Sequence, residues 1–493
     1  MASGAAPATA GTGRRNDPQR RDVTIARGLT ALACVYYFAL LTDGDWNPFG
    51  TELCALVFND MLARLLDGQV TAHAAILGGE SYISNGRTVA YWGIFPAVLR
   101  LPLLAFGALY ELQIARLSCW IAVCGLAGFL VATFSVVHRR AKPSPGRTLL
   151  FHTTVASVLF AGAVLTSLAS AYIYNEPIFW AVALSCAFNY VVVKHSVSGQ
   201  PLRQRDLVVL ACIAGLALNC RVLEGASLCL ACLWIAILTV LHGDAIAGSK
   251  AARLAAGVRK IIVPGTILIL FGAICGTVNY LRWGSPLTFV DLHRHSQFMS
   301  DPDRVAALDR FGDLNLIRLP FSLSYYLLSN PGLDAARPLF GDLHGLYDKI
   351  EGPLSSLLLT DAIPLLLAGV GIAQLFRRGV ARSAGDGLVI GVFAAELVGI
   401  TILLAANYLA MRYRMDFVPA LSLVAAVGYR TLIARDVLPG LMLKTALVLA
   451  VVSMVTSHVV LRQYKEDIVP YREQARMFWE SYQCVTGMRD CRR

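Results

Sequence analysis

Residues 117–147 read LSCWIAVCGLAGFLVATFSVVHRRAKPSPGR. From Leu117 to Val137 the stretch carries no charge. As a helix rising 1.5 Å per residue it is long enough to cross a hydrocarbon layer of roughly 30 Å. It then runs directly into Arg139, Arg140, Lys142 and Arg147, the composition of a cytoplasmic loop. A transmembrane barrel would instead show short strands of alternating polarity.

Similar runs recur in both directions along the chain. Of the 493 residues, 56% are hydrophobic and 15% charged; soluble domains carry about 25% charged residues. The pattern therefore predicts an all-α polytopic membrane protein. About eleven spans are expected: Val23–Leu41, Leu117–Val137, Leu149–Ala171, one ending at Lys194, Leu207–Leu218, one ending near Leu241, Ile261–Leu281, one ending at FRRGVAR, one from Leu388, Phe417–Tyr429 and Thr445–Val460. The basic loops then alternate to one side, and Arg14, Arg15, Arg20 and Arg21 hold the N-terminus in the cytoplasm. Residues 1–22 read as a disordered cytoplasmic tail, 23–461 as the membrane domain and 462–493 as an outer tail. The first apolar run lacks a small-residue cleavage site and is expected to remain as a helix.

The net charge of +11 fits basic cytoplasmic loops. No basic stretch is interleaved with aromatics as single-strand nucleic-acid binding requires. Most cysteines lie inside apolar runs and act as small hydrophobic residues; Cys229 and Cys232 form a CxxC with no partner pair. Cys484 and Cys491 lie in the polar tail, where an oxidising compartment would allow a disulfide. No P-loop or dinucleotide fingerprint is present.

Two outer loops are long, residues 42–116 and about 282–355. The first opens with LTDGDWNPFGTE, which sets Asp43, Asp45 and Glu52 at the outer boundary of the first span. A carboxylate there can stay ionised yet work in a partly desolvated cleft, as a general base or as a ligand for a divalent cation, the plain alternative being a solvated helix end. Gly44 lets the backbone bend so that both aspartates serve one site. From Glu52 to Asp67 the apolar residues Leu53, Leu56, Val57, Met61 and Leu65 share a helical face, and Glu52, Asn59, Asp60 and Asp67 fall away from it. That predicts an interfacial helix. GGESYISNGRTVAYWGIFP then carries turn signals around short aromatic and β-branched runs, the pattern of a small hairpin. At the same outer level lie Glu176, Arg221, Glu224, Arg412, Arg414 and Asp416. Arg412 and Arg414 run against the positive-inside trend, which leaves two readings open: snorkelling and mutual salt bridges at the helix ends, or a shared outer cleft with arginines for a phosphate.

These features resemble the GT-C polytopic glycosyltransferases, which use polyprenyl-phosphate-linked sugars. Relatives are the dolichyl-phosphate-mannose mannosyltransferases, the aminoarabinose transferases of lipid A and the rhizobial galacturonosyltransferases. The resemblance rests on DGDWNP through NDMLARLLDGQ, on GESYISNGRTVAYWGIFPAVLRLPL, and on NCRVLEG, NYLRWGSPLTF and RYRMDFVPAL. It implies a catalytic acid near the end of the first span. Here that role falls on Asp45 or Asp43, with Glu52 third. The adjacent Asp-Glu pair of several relatives is absent, so metal dependence stays open. The resemblance also implies substrate contacts from Arg412, Arg414, Arg221, Glu224, Glu176, Arg87 and Tyr91. Its expected partners are a polyprenyl-phosphate sugar, membrane lipids and a glycan, lipid or protein acceptor. The expected setting is the bacterial inner membrane with a periplasmic site. His293 and His295 in the second long loop read as polar surface rather than metal ligands. The rival reading is a lipid or small-molecule transporter, for which Glu396 is the clearest mid-span charge, with Glu111 and Arg100 near the first loop.

Overall fold

The computed structural model describes residues 18–241, 249–328, 346–351, 355–377 and 384–485. Among these, nine helices are long and apolar enough to cross a membrane: Pro18–Leu41, Ala115–His138, Pro145–Ala169, Asn175–Ser198, Val222–Leu241, Leu254–Trp283, Gly385–Ala405, Met411–Ile433 and Gly440–Asp467. The chain is an all-α, multi-pass membrane protein. Two expected spans, Gln204–Leu218 and Ala362–Phe376, are helices of 15 residues each. That is shorter than the roughly 20 residues a full crossing needs. The first helix begins at Pro18 rather than Val23. Cys491 and the side chain of Cys484 lie outside the described residues, so the disulfide reading has no structural counterpart here.

Successive helices run in alternating directions. One end of the bundle therefore gathers the exit of the first span, the entry at Ala115, the turn 219–221, the end of the helix at Trp283 and the entry at Met411. The described parts of both long loops sit at this loop end. A large apolar core runs through the bundle, with Tyr37, Leu126, Phe134, Phe151, Val182, Phe188, Leu423 and Val424 buried in it. The helices Ala362–Phe376 and Val418–Ile433 cross where glycines face each other's backbone. A Cβ on Gly428 would lie 1.8 Å from the Leu367 carbonyl oxygen, and one on Gly371 2.0 Å from that of Val424. Small residues let membrane helices approach this closely.

The first loop is folded. Strands β1 (Tyr82–Ser84) and β2 (Arg87–Val89) pair antiparallel, Tyr82 opposite Val89 and Ser84 opposite Arg87. Asn85 (φ 52°) and Gly86 (φ 72°) form the two-residue turn, the left-handed pair that suits a right-twisted hairpin. The helix Val57–Leu66 packs Phe58, Met61 and Leu62 against Ile76, Leu77, Trp92 and Ile173. The sequence placed Asn59 and Asp60 on a wet face, but both are fully buried. The Asn59 amide donates to the carbonyls of Leu109 (2.6 Å) and Leu112 (3.0 Å). Asp60 accepts from the His73 backbone N–H (2.8 Å) and from Tyr110 Oη (2.9 Å). The loop folds back over this helix and supplies partners that the helical pattern alone does not reveal.

The second long loop docks onto the first. Tyr82 bridges His295 in antiparallel fashion, and the Ser296 N–H donates to the Ser81 carbonyl at 2.9 Å. Further on, β3 (Lys349–Ile350) pairs in parallel with β4 (Tyr408–Leu409) just before the entry at Met411.

Candidate functional site

A cavity of about 260 Å³ opens at the loop end. It is near the lower end of small-molecule sites, which span roughly 300–1,000 Å³. Its wall comes from several parts of the chain. The first loop contributes Tyr91 to Ile94, and the entry of the helix Asn175–Ser198 contributes Tyr174, Pro177 and Ile178. The turn at 218–223 brings Arg221, the helix Lys250–Trp283 brings Arg282, and the entry at Met411 brings Arg412 and Tyr413. The first loop reaches this place through a backbone contact. The Phe95 N–H donates to the Asn219 carbonyl at 2.8 Å, and a Cβ on Gly93 would stand 2.2 Å from the same oxygen. Only glycine fits there.

The three arginines differ in how far their charge is neutralised. Arg412 Nη1 donates to Glu351 Oε1 at 2.6 Å, and its guanidinium stacks on Tyr174 (4.5 Å), Tyr413 (5.2 Å) and Tyr408 (5.6 Å). Burial pushes the Glu351 carboxyl up, but Arg412, the Tyr408 hydroxyl and Lys349 outweigh it and hold it below the usual range. Arg221 Nη2 donates to Asp416 Oδ2 at 2.8 Å, its Nε lies 3.3 Å from Glu224 Oε2, and Tyr413 lies beneath it at 5.1 Å. Arg282 is 3% exposed and donates from Nη1 to the Trp92 carbonyl at 2.8 Å. Among the described residues no carboxylate pairs with it. Each guanidinium also keeps one buried nitrogen without a hydrogen-bond partner: Arg221 Nη1, Arg282 Nε and Arg412 Nε. A buried cation without a counter-charge is costly, and an anionic ligand would relieve that cost.

The other sequence candidates fall elsewhere. Asp43, Asp45 and Glu52 stay together at the first-span exit, where Asp43 and Gly44 take left-handed backbone (φ 54° and 80°). Arg116 Nε donates to Glu52 Oε1 at 2.7 Å and Arg116 Nη1 to Asp45 Oδ2 at 3.0 Å. Lys465 Nζ, from the last long helix, donates to Asp43 Oδ1 at 2.5 Å. None of these three acids lines the cavity. Glu176 is buried in a two-pronged pair with Arg100, one bond of which measures 2.7 Å, and also accepts from Ser118. Arg100 Nε donates to Asn59 as well (3.2 Å), so this pair ties the first loop to the bundle. Arg414 donates to Thr360 and Ser355, and Arg87 is exposed on β2. Of the sequence candidates, Tyr91, Arg221 and Arg412 meet at the cavity, with Glu224 behind Arg221. Glu396, the mid-span acid, is buried and accepts from Asn189 Nδ2 at 2.8 Å.

Two residues at this site escape the sequence reading. Arg282 closes an apolar run and reads there as a loop boundary. Glu80, in GGESY, reads there as part of a turn, but its Oε2 lies 3.7 Å from His295 Nε2 on the second long loop. Among the described residues no group of three or more His, Cys, Asp or Glu side chains is arranged to hold a metal ion.

No protein-family model matches the chain, and no curated protein matches it in sequence. Solved structures similar to it include the archaeal oligosaccharyltransferase AglB from Archaeoglobus fulgidus in complex with an inhibitory peptide and a dolichol-phosphate, at 12% identity and a TM-score of 0.47 over 89% of this chain and 56% of that one. The Archaeoglobus fulgidus oligosaccharyltransferase tethered with an acceptor peptide containing the NVT sequon is similar at 11% identity and a TM-score of 0.47, over 89% of this chain and 55% of that one. The chain thus spans just over half the length of the solved structures it matches.

Proposed function

We propose that this chain is a membrane glycosyltransferase. It moves a sugar from a polyprenyl-phosphate donor to a lipid, glycan or protein acceptor on the periplasmic face of a bacterial inner membrane. The observation that carries the reading is Arg282, a buried guanidinium on the cavity wall with no carboxylate partner. Arg221 and Arg412 stand on the same wall, each with a spare N–H. Three such donors beside an apolar, aromatic lining suit a phosphate carrying an apolar tail. The GT-C resemblance of the loop sequences supports the same assignment.

In this reading the prenyl chain lies along the apolar residues of the helix Lys250–Trp283, and the phosphosugar enters the cavity. The acceptor hydroxyl attacks the anomeric carbon from the face opposite the phosphate, and its proton passes to water. The bond from that carbon to the phosphate oxygen breaks, and the oxygen keeps the electron pair. The arginines stabilise that developing charge. A single displacement inverts the anomeric centre.

The test uses purified protein with undecaprenyl phosphate and a crude polyprenyl-phosphate-sugar extract. Wild type should bind the lipid phosphate and transfer sugar. Arg282→Met should weaken lipid binding by about ten- to a hundredfold, the worth of one charge-assisted contact. Equal binding by wild type and variant, with no transfer by either, would overturn the proposal.

A further inference from the structure

Arg221 and Arg412 carry like charges on one cavity wall, and their repulsion opposes bringing both to one phosphate. Resting on the transferase reading, we infer that Tyr413 is the positioning residue that holds this pair in register. Its ring is shared by the two guanidinium groups: Arg221 Cζ lies 5.1 Å and Arg412 Cζ 5.2 Å from its centroid. Both distances fall within the roughly 6 Å over which a ring quadrupole attracts a cation. Tyr413 itself lines the cavity beside both arginines. Two further rings lie against Arg412, Tyr174 at 4.5 Å and Tyr408 at 5.6 Å. Tyr174, Arg412, Tyr413 and Arg221 thus form an alternating row of rings and cations, and all four line the cavity. The row is drawn from the loop ends of three spans, those entered at Asn175, Val222 and Met411.

The local backbone explains the arrangement. Met411–Phe417 is a 3₁₀ helix, in which side chains three positions apart eclipse one another. Tyr413 and Asp416 therefore share a face, and Arg221 meets both. Its Nη2 donates to Asp416 Oδ2 at 2.8 Å, and its Cζ stands over the Tyr413 ring. Arg412, one residue earlier, turns to Glu351, to which its Nη1 donates at 2.6 Å. Carboxylates thus anchor each guanidinium by an edge, and Tyr413 supports the pair through its ring. The two kinds of support differ. A carboxylate neutralises the charge that a phosphate needs, whereas a ring attracts the cation and leaves its charge for the ligand. A shared ring therefore offsets the repulsion between the arginines without cancelling their pull on an anion. Arg414, on the other side of Tyr413, donates to Thr360 and Ser355 and takes no part in the row.

The experiment titrates the purified protein in detergent with undecaprenyl phosphate and, separately, with undecaprenol, which lacks the phosphate. Wild type should bind the phosphate lipid more tightly. Tyr413→Leu removes the ring and keeps an apolar side chain; Tyr413→Met gives a second ring-free variant, and unfolding temperatures show which of them is folded. Affinity for undecaprenyl phosphate should fall about five- to thirtyfold, the worth of one or two cation–π contacts. Undecaprenol binding should change less than about twofold, because no charge is involved. Tyr413→Phe keeps the ring and should bind the phosphate lipid within about twofold of wild type. A merely structural ring would weaken both lipids alike, and equal losses overturn the inference. Ring-free variants that match wild type also overturn it. So does a Tyr413→Phe that falls as far as Tyr413→Leu, since the effect would then belong to the hydroxyl. These three outcomes leave the transferase reading standing. A wild type that does not distinguish the two lipids overturns the transferase reading, and the role of Tyr413 falls with it.

Discussion

Arg116 and Arg282 are both buried arginines at the loop end of the bundle, and their surroundings are opposite. Arg116 faces two carboxylates, Glu52 at 2.7 Å and Asp45 at 3.0 Å, and a third acid nearby, Asp43, is held by Lys465. Arg282 faces a carbonyl and a cavity. The first region is a closed ionic knot between the first span, the helix that starts at Ala115 and the last long helix. The second is an open electrostatic site. Charge density along the sequence ranks them the other way, because the acids are conspicuous and the lone arginine is not. A buried charge without a counter-charge is costly in a membrane protein, which is why Arg282 and not the paired Arg116 suggests a ligand.

The largest expected effect separates the two arginines by sign. Arg116→Met removes the cation from two carboxylates, one of them Glu52 with its side chain 0% exposed. Breaking a buried pair from one side costs about 3–5 kcal/mol. Arg282→Met removes a charge with no partner, so the ligand-free protein should be no less stable. Thermal unfolding in detergent without lipid checks both, and equal destabilisation would erase the distinction. Next in size is Gly93→Ala. Its Cβ would stand 2.2 Å from the Asn219 carbonyl oxygen, so the first loop must lift from the turn that carries Arg221. Overpacking of this kind costs about 1–3 kcal/mol. Lipid binding should weaken with it, while the knot around Arg116 is left in place.

The contrast also shows what the sequence makes legible. The spans are readable because length and hydropathy suffice to define a membrane helix, as at Leu117–Val137. The hairpin at 82–89 is readable because Asn85-Gly86 fixes its turn locally. Burial of Asn59 and Asp60 is not readable, because their partners lie at Leu109, Leu112, Tyr110 and His73. Arg221 and Arg412 are readable as polar groups at one membrane level, and Tyr91 through the resemblance of the first loop. Arg282 and Glu80 are not, since each acquires its meaning from residues roughly 100 or more positions away. Pairing of Asp43 with Lys465 spans 422 positions, beyond the reach of any local pattern.

A smaller effect should appear with pH at the rim of the cavity. Glu351 accepts from Arg412 at 2.6 Å and from Tyr408 at 2.7 Å, and its carboxyl is held below the ordinary range. A depressed carboxyl adds stability above its unfolded pKa and loses that stability as pH falls through the folded value. Stability should therefore begin to drop as pH passes below the ordinary glutamate value of about 4.3. Glu351→Gln removes the titrating group, so its unfolding temperature should vary less between pH 7 and acid than that of wild type. Parallel curves would mean that Glu351 contributes nothing through this pair.

The smallest expected effect belongs to the acids that stand out most in the sequence. The Asp45 side chain is 52% exposed, and Arg116 keeps Glu52 when Asp45 is neutralised. Exposed pairs contribute about 0–1 kcal/mol, so Asp45→Asn should barely change the unfolding temperature. The Asp43–Lys465 pair is also partly exposed, and Asp43→Asn should behave alike. Both variants leave the three cavity arginines untouched, so transfer should fall less than about tenfold, against the 10²-fold or more expected of a group that handles the proton. If Asp45→Asn instead abolished transfer with lipid binding kept, the knot would have to open during turnover and deliver its carboxylate to the sugar. The comparison would then be between two states of one site rather than between two regions of the molecule.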